Sequence, residues 1–210
     1  MTVIDFETIR TKSLETAKQL GYAINHGLPL LHSNHVVRES TIVIDRLLGM
    51  YGIAAVAYGF ERIRTIRWLE RNADMSLLTT RERRFLLTGL GETQDFKFQI
   101  EGIWALYWSC SLTDEFSFSE QCPNDFVTRL PNLKVDENAQ EFKSRVRLRS
   151  DVDIVVMADL TYCLHWAVRD SQVRRLEPPG HLPEYAVRER RLAIDWLLVS
   201  DDWDEITLDT

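Results

Sequence analysis

Residues 184–210 read EYAVRERRLAIDWLLVSDDWDEITLDT, and the helix that they predict organises the rest of the chain. Apolar side chains recur in this stretch every three or four positions, which is the spacing that lines one face of an α-helix: Ala186, Val187, Ala193, Ile194, Leu197 and Leu198. Arg190 falls within the same stripe. Because an unpaired buried charge is very costly, this arginine predicts a carboxylate partner elsewhere in the chain.

The segment that follows Ser200 is acidic, yet it also has an apolar side. Trp203, Ile206 and Leu208 are interspersed among its acids. Aromatic and aliphatic side chains favour packing, so we predict that this tail folds back against the helices as an extended or single-turn segment. Truncation after Ser200 is therefore expected to destabilise the fold. Four acids of the segment remain as candidate contacts for a partner: Asp201, Asp202, Asp204 and Glu205.

A second strongly patterned helix is predicted for residues 151–170, DVDIVVMADLTYCLHWAVRD. Ser150 and Asp153 have the spacing of a helix N-cap. Asp159 shares one helical face with these apolar residues: Val152, Val155, Val156, Cys163 and Trp166. We therefore predict that Asp159 is the carboxylate that pairs with Arg190.

The other patterned segments complete a mainly α-helical bundle of about seven or eight helices. In the segment 38–58, Gly49 and Gly52 indicate either close packing by a neighbouring helix or a kink. Thr79 and Glu82 have the spacing of a capping box at the start of the segment 79–87. We predict one domain, residues 1–210, with the irregular C-terminal tail packed back on it. The helices are expected at residues 5–20, 38–58, 60–71, 79–87, 96–112 and 137–147, in addition to the two described above.

Composition and net charge limit the classes of partner that the protein is expected to bind. The chain of 210 residues is 45% hydrophobic and carries a formal net charge of −7, which disfavours non-specific nucleic-acid binding and suits a basic protein partner. Residues 62–84 are rich in arginine, which is more typical of a salt-bridged helix surface than of a nucleic-acid-binding site. The start of the chain does not resemble a signal peptide, and no apolar stretch approaches the length of a bilayer span. We therefore expect a cytoplasmic protein that does not bind membranes.

Five polar residues in apolar surroundings are the candidates for a site. They could line a ligand pocket or an active site, in which His165 would be a general base, or they could form a buried salt-bridge network that fixes helix registry. The second interpretation is favoured, because the chain contains no GxSxG, phosphate-loop, GxGxxG or HExxH motif. The cluster is Glu101, Asp159, His165, Glu189 and Arg190.

Neither a metal nor a cofactor is expected. His26, His32 and His35 are close in sequence, but zinc needs three or four supported ligands, so surface histidines are the better interpretation. The cysteines are far apart and lack a CxxC pair, which is typical of reduced, mostly buried thiols: Cys110, Cys122 and Cys163.

Four stretches together resemble the bacterial family catalogued as domain of unknown function 4272. They are LTTRERRFL at 78–86, EGIWALYWSCSL at 101–112, LRSDVDIVVMADLTYCLHWA at 148–167 and VRERRLAIDWLLVSDDWDEITLDT at 187–210. The resemblance covers nearly the whole chain and implies no established reaction, cofactor or catalytic residue. Asp153, Cys163 and Asp195 depart from the family pattern, which has a glutamate, an arginine and an asparagine at these positions.

These observations favour a non-enzymatic interaction protein of the immunity or accessory type, which binds and blocks a basic partner. Its acidic C-terminal segment suits the surface of such a partner. The alternative is an enzyme or small-ligand-binding protein that uses Glu101, Asp159, His165 and Arg190. A homodimer in which apolar helix faces pair with each other is a third interpretation.

Overall fold

The predicted helices are present in the computed structural model, which describes residues 5–31, 36–199 and 202–209. These described residues contain no β-strand, and the prediction of a mainly α-helical bundle is confirmed. Single 3-10 turns lie at Met75–Leu77, Phe126–Arg129, Leu133–Val135 and Trp203–Glu205. The α-helices are α1 (Phe6–Gln19), α2 (Ser40–Ala57), α3 (Arg62–Asn72), α4 (Thr80–Thr88), α5 (Thr93–Phe98), α6 (Ile100–Ser109), α7 (Gln140–Ser144), α8 (Asp151–Arg174) and α9 (Glu184–Leu198).

Side-chain caps fix where α4 and α8 begin. The Thr79 hydroxyl accepts a hydrogen bond from the Glu82 backbone N–H at 3.1 Å, and the Glu82 carboxylate accepts one from the Thr79 N–H at 2.9 Å. The Ser150 hydroxyl likewise accepts from the Asp153 N–H at 3.2 Å. Each cap satisfies backbone donors that the first helical turn leaves without partners. The predicted capping box and N-cap are confirmed.

The centre of the bundle is formed by α2, α6 and α9. α9 packs against α6 and α8, α2 packs against α3 and α6, and α1 lies on α8. The buried residues of α2 lie all around the helix, as its apolar sequence predicts, because neighbours cover it on every side. The glycines of α2 permit this packing: a Cβ atom added at Gly52 would lie 2.8 Å from Leu69 Cδ1 of α3. Close approach is therefore the reason for the glycine.

The length of α2 corrects one prediction. By length and composition this helix, with 18 residues and a mean hydropathy of 1.4, could cross a membrane, whereas no apolar stretch of that length was expected. Two-thirds of it, 67%, is buried within the protein. The core helix of a soluble protein meets the same criteria, so this feature alone is weak evidence for a membrane span.

Two predicted helices differ in extent from the observed ones. The segment 96–112 is two helices, because the backbone tightens at Gln99 (φ −57°, ψ −15°) between α5 and α6. Within the range 137–147, where one helix was predicted, the α-helix is limited to α7. Past α7 the backbone bonds to another part of the chain: the Arg147 N–H donates to the Cys110 carbonyl at 3.2 Å, and the Arg149 N–H to the Ser109 carbonyl at 2.9 Å.

The buried face of α8 is rotated relative to the predicted one. Val152 and Val156 are 36% and 38% exposed, although both were expected on the core side. Val155, Asp159 and Cys163 of the predicted face are buried, and Ile154 is buried with them. A run of consecutive valines and isoleucines leaves the orientation of a helix ambiguous, because each of two adjacent faces contains apolar residues.

Candidate functional site

The five residues of the predicted polar cluster are distributed over four separate sets of contacts. Glu101 and Arg190 are brought together, whereas Asp159, His165 and Glu189 each bond to a different arginine. The predicted pairing of Asp159 with Arg190 is therefore wrong. Its premise was correct, because both side chains are buried and both are paired.

Arg190 of α9 bonds to Glu101 of α6. The two side chains are 0% exposed, and Arg190 Nη2 lies 2.7 Å from Glu101 Oε2. The guanidinium also donates to the carbonyls of Ser117 and Glu120, while the other carboxylate oxygen of Glu101 accepts from the Cys122 N–H at 3.0 Å. All of these partners hold the loop after α6 against α9. The arrangement satisfies both buried charges and leaves neither open to a ligand.

Asp159 of α8 bonds instead to Arg10 of α1. Arg10 Nη2 donates to Asp159 Oδ1 at 2.7 Å, and Nε to Oδ2 at 3.1 Å, so the contact is bidentate. The remaining donors of Arg10 bond to the carbonyls of Leu28 and Pro29. This pair attaches α1 and the following loop to α8. Sequence reasoning missed Arg10, although it shares a helical face with Ile9 and Leu14.

His165 bonds to Arg191 of α9. Arg191 Nη1 lies 2.7 Å from His165 Nδ1, and because a guanidinium has only donors, Nδ1 is the acceptor and the neutral ring carries its proton on Nε2. Burial, together with the charges of Arg191, Arg169 and Arg188, lowers the pKa of His165 to about 3. The nitrogen that would act as a general base is therefore used by Arg191, and His165 supports the helix packing.

This buried imidazole makes stability depend on pH. In the unfolded chain His165 takes up a proton near pH 6.5, whereas in the folded protein it does so only near pH 3. Its contribution to stability is thus present above pH 6.5 and is lost as the pH falls below that value. We expect the stability advantage of the wild type over His165→Asn, which keeps an acceptor for Arg191, to be smaller by about 2 kcal/mol at pH 5 than at pH 7.

Urea unfolding of both proteins at the two pH values measures this difference. His181→Asn is the matched control, because His181 is exposed. An advantage over His165→Asn that does not change with pH would contradict the buried neutral state.

A third buried ion pair, Arg46 with Glu82, was not predicted. Arg46 Nη1 and Nη2 lie 2.6 and 2.9 Å from the two carboxylate oxygens. Burial opposes the ionisation of Glu82, but the charge and hydrogen bonds of Arg46, with the Thr79 N–H and Gln99, hold its pKa below the ordinary value. The signal in the sequence was Arg46 itself, a lone basic residue within an apolar helix.

A cleft of about 480 Å³ opens beside this pair, and we call it the C-terminal cleft. It lies between the start of α4, the α5–α6 junction, α9 and residues 203–208. Its rim carries the exposed pair of Arg81 and Asp95, 2.7 Å apart. Cavities of this size accommodate a side chain or a small ligand. The lining residues that matter below are Asp95, Phe96, Phe98, Gln99, Arg188 and Glu189.

Glu189 is the member of the predicted cluster that reaches the C-terminal cleft. Its side chain is 6% exposed, and Oε1 accepts a hydrogen bond from Arg188, which is 56% exposed. Oε2 accepts no hydrogen bond from residues 5–31, 36–199 or 202–209. Burial raises the pKa of Glu189 to about 7; Asp95 and Glu82 raise it further, while Arg188 and Arg46 oppose the shift.

Gln99, which lines the same cleft as Glu189, has a second acceptor without a partner within the described residues. Its Nε2 donates to Glu82 Oε1 at 2.8 Å, and this contact fixes the orientation of the amide, because an amide oxygen there would face a carboxylate. The amide oxygen Oε1 is buried and has no hydrogen-bond partner within the described chain. A buried acceptor without a donor is costly. Gln99 Oε1 therefore has an unmet requirement for a hydrogen-bond donor.

The C-terminal segment, residues 202–209, forms one wall of the cleft and is attached at two points. Trp203 is 7% exposed; its ring lies 5.5 Å from that of Trp196 and 4.2 Å from the guanidinium carbon of Arg46. Arg191 Nη1 and Nη2 donate to the backbone carbonyls of Leu208 and Asp209 at 3.3 and 3.0 Å. The predicted packing of Trp203 and Ile206 onto the helices is confirmed.

The acids of this segment face outward. Asp202, Asp204 and Glu205 are exposed on both sides of the buried Trp203. Asp201, the fourth predicted contact, lies outside the described residues. Because the segment is attached at Trp203 and again at Leu208 and Asp209, these carboxylates are held in place on the surface without being paired to the bundle in the part of the chain that is described.

The remaining candidates for chemistry carry no reactive group. The three cysteines are free thiols, and burial raises the pKa values of Cys110, Cys122 and Cys163 to about 12, with Glu101 and Asp159 adding to the shift of the last two. Of the predicted loop histidines, His32 and His35 lie outside the described residues. Within the described ranges no group of three His, Cys, Asp or Glu residues could hold a metal ion.

Comparison with known proteins identifies the family. A family model described as a domain of unknown function, DUF4272, matches residues 10–206. Neither a curated protein nor a solved structure matches the chain. The match includes α6, α8, α9 and Trp203, and therefore the helices that carry the buried ion pairs and the wall of the cleft. Because it spans nearly the whole sequence, the chain belongs to the DUF4272 family.

Proposed function

We propose that the protein is a non-enzymatic interaction protein, of the immunity or accessory type, that binds and blocks a basic protein partner through its C-terminal segment. One observation carries this proposal: Asp202, Asp204 and Glu205 are exposed, while Trp203 between them is buried. A charged surface that is already ordered loses little conformational entropy on binding, and its negative potential steers a basic partner toward it.

The buried charges also support this proposal. Bonds to other protein groups already occupy the charged or accepting atoms of Glu101, Asp159, His165 and Arg190. Such closed contacts suit a role in helix registry better than a role in turnover. The rival function, an enzyme or ligand-binding protein built on these four residues, therefore has less support. Glu189 and Glu101 each line a cavity of about 480 Å³, but both carboxylate oxygens of Glu101 are already bonded, whereas one oxygen of Glu189 has no partner within the described residues.

The proposal is tested by removing the acidic charges without disturbing the fold. The variant Asp202→Asn/Asp204→Asn/Glu205→Gln leaves Trp203 in place. Its matched control, Glu15→Gln/Glu70→Gln/Glu177→Gln, removes the same charge from exposed acids elsewhere on the surface. Tagged wild-type protein and both variants are expressed in the source organism, and stoichiometric complexes are identified by native mass spectrometry.

We expect the wild type and the control to recover the same basic partner. The affinity of the purified pair should fall by about tenfold or more in the acidic-segment variant, and it should fall with rising ionic strength. Recovery of the bare protein in repeated experiments, or equal binding by both variants, would count against the proposed function.

A further inference from the structure

We infer that the C-terminal cleft is a binding site for a cationic side chain, and that the group it takes from the partner is the guanidinium of an arginine. This inference rests on the proposed function, because it names the part of the basic partner that enters the protein. The observations behind it are two acceptors that have no hydrogen-bond partner among the described residues, Glu189 Oε2 and the buried Gln99 Oε1, on residues that line a cleft of about 480 Å³.

The donor and acceptor inventory of the cleft selects the class of ligand. Both free atoms are acceptors, so the incoming group must be a donor. Ionised Glu189 makes a cation more favourable than a neutral amide, and the carboxylate of Asp204 at the rim adds to this preference. A guanidinium has five N–H donors in one plane, so it can donate to Glu189 Oε2 and still offer donors to other acceptors of the cleft.

The basic residues of the cleft do not block this site. Arg81 is 64% exposed and is neutralised by Asp95 at the rim. Arg188 is 56% exposed and contacts Oε1 of Glu189, so Oε2 stays available, and Arg188 can move into solvent if a ligand requires both oxygens. Phe96 and Phe98 line the same cleft. Phe96 is buried against Phe85 and Phe98 stacks on Tyr185, so the two rings give the cleft an apolar wall.

Binding should be linked to the protonation of Glu189. The groups that face it are Arg188 on its own helix, Asp95 and Glu82 from α5 and α4, and Arg46 from α2. With a pKa of about 7, the carboxyl is mostly protonated at pH 6 and mostly ionised at pH 8. A cation binds the ionised form, so its affinity should rise about tenfold between these pH values.

The test uses the full chain and a matched pair of small probes, Nα-acetyl-L-arginine amide and Nα-acetyl-L-citrulline amide. Citrulline has the shape of arginine without its charge. Binding is followed by the NMR shifts of the Gln99 side-chain amide, the Glu189 backbone amide and the Trp203 indole N–H. Glu189→Gln removes the charge at constant shape, and Glu15→Gln serves as the control variant.

We expect the arginine probe to shift these three signals in a saturable way, the citrulline probe to leave them unchanged, and Glu189→Gln to weaken binding by about tenfold or more. Equal effects of both probes, shifts elsewhere in the protein, or stronger shifts with inorganic phosphate would overturn the inference. If the basic partner binds Glu189→Gln as tightly as the wild type, the proposed function stands and the arginine site fails. If the probe binds but no protein partner exists, the cation site stands and the proposed function fails.

Discussion

The Glu101→Ala variant is expected to lose about 3–5 kcal/mol of unfolding free energy. Arg190 would then remain charged in a position that is 0% exposed, where the carbonyls of Ser117 and Glu120 cannot replace the lost counter-charge. Arg190→Ala should cost a similar amount, because it leaves Glu101 as the uncompensated charge. Equilibrium unfolding in urea, followed by tryptophan fluorescence, measures both values.

Removing both charges together should cost much less than the sum of the single changes. The variant Glu101→Leu/Arg190→Met replaces the pair by apolar side chains of comparable size, which in other buried pairs is close to neutral. In a cycle completed by Glu101→Leu and Arg190→Met alone, a double variant that loses several kcal/mol less than the sum of these two single changes would identify the direct contact. Arg71→Ala is the surface control: Arg71 is 54% exposed in its pair with Asp136, so little change in stability is expected.

The same experiment distinguishes the observed pairing from the predicted one. Glu101 should couple to Arg190, and Asp159 should couple to Arg10. Additive effects for Glu101 with Arg190, combined with coupling of Asp159 to Arg190, would contradict the structure.

Local sequence signals were sufficient to predict most of the helices, because caps and periodicity act within a few residues. Thr79 with Glu82 and Ser150 with Asp153 form the expected caps through contacts three residues apart. The helical stripe of α9 is also confirmed, since Ala186, Val187 and the other apolar members are buried. Such signals report the type of an element and, where the apolar stripe is narrow as in α9, its buried face; in α8 they placed Val152 and Val156 on the wrong side.

The pairing of buried charges could not be predicted in the same way. A charge within an apolar stripe shows that a partner exists, but every helix that offers an opposite charge is a candidate. Arg190 had Glu101 as well as Asp159 available, and Arg10 was not considered. Choosing among them requires the packing of α6, α8 and α1 around α9, which depends on the volumes of the whole core.

The cleft was not predictable from any single motif. Glu189 was identified as polar in apolar surroundings, but its neighbours Gln99 and Trp203 come from distant parts of the chain. Gln99 carries its free acceptor because the helix breaks there and its amide donates to Glu82. Neither the helix break nor the hydrogen bond to Glu82 can be predicted from the residues next to Gln99 in the sequence. The site is therefore a product of tertiary structure, although one of its residues was a candidate from the start.

Truncation after Ser200 is expected to destabilise the protein by at least the cost of Trp203→Ala, about 3–5 kcal/mol. The lost segment contains the indole that packs on Trp196 and covers the guanidinium of Arg46. Arg46 and Glu82 form a buried pair, so uncovering them exposes a desolvated contact as well as apolar surface. Arg191 also loses the carbonyls of Leu208 and Asp209 as acceptors.

Substitutions at Trp203 separate packing from the cation–aromatic contact. Trp203→Phe keeps an aromatic face over Arg46 and should retain most of the unfolding free energy. Trp203→Leu fills space without that face, so its unfolding free energy should lie between those of Trp203→Phe and Trp203→Ala. The variant Asp202→Asn/Asp204→Asn/Glu205→Gln should unfold at the wild-type urea concentration, because these acids are exposed. If the truncated protein unfolds at the same urea concentration as the wild type, Trp203 is not part of the core. The acidic residues beside it would then lack the ordered support from which the proposed function is argued.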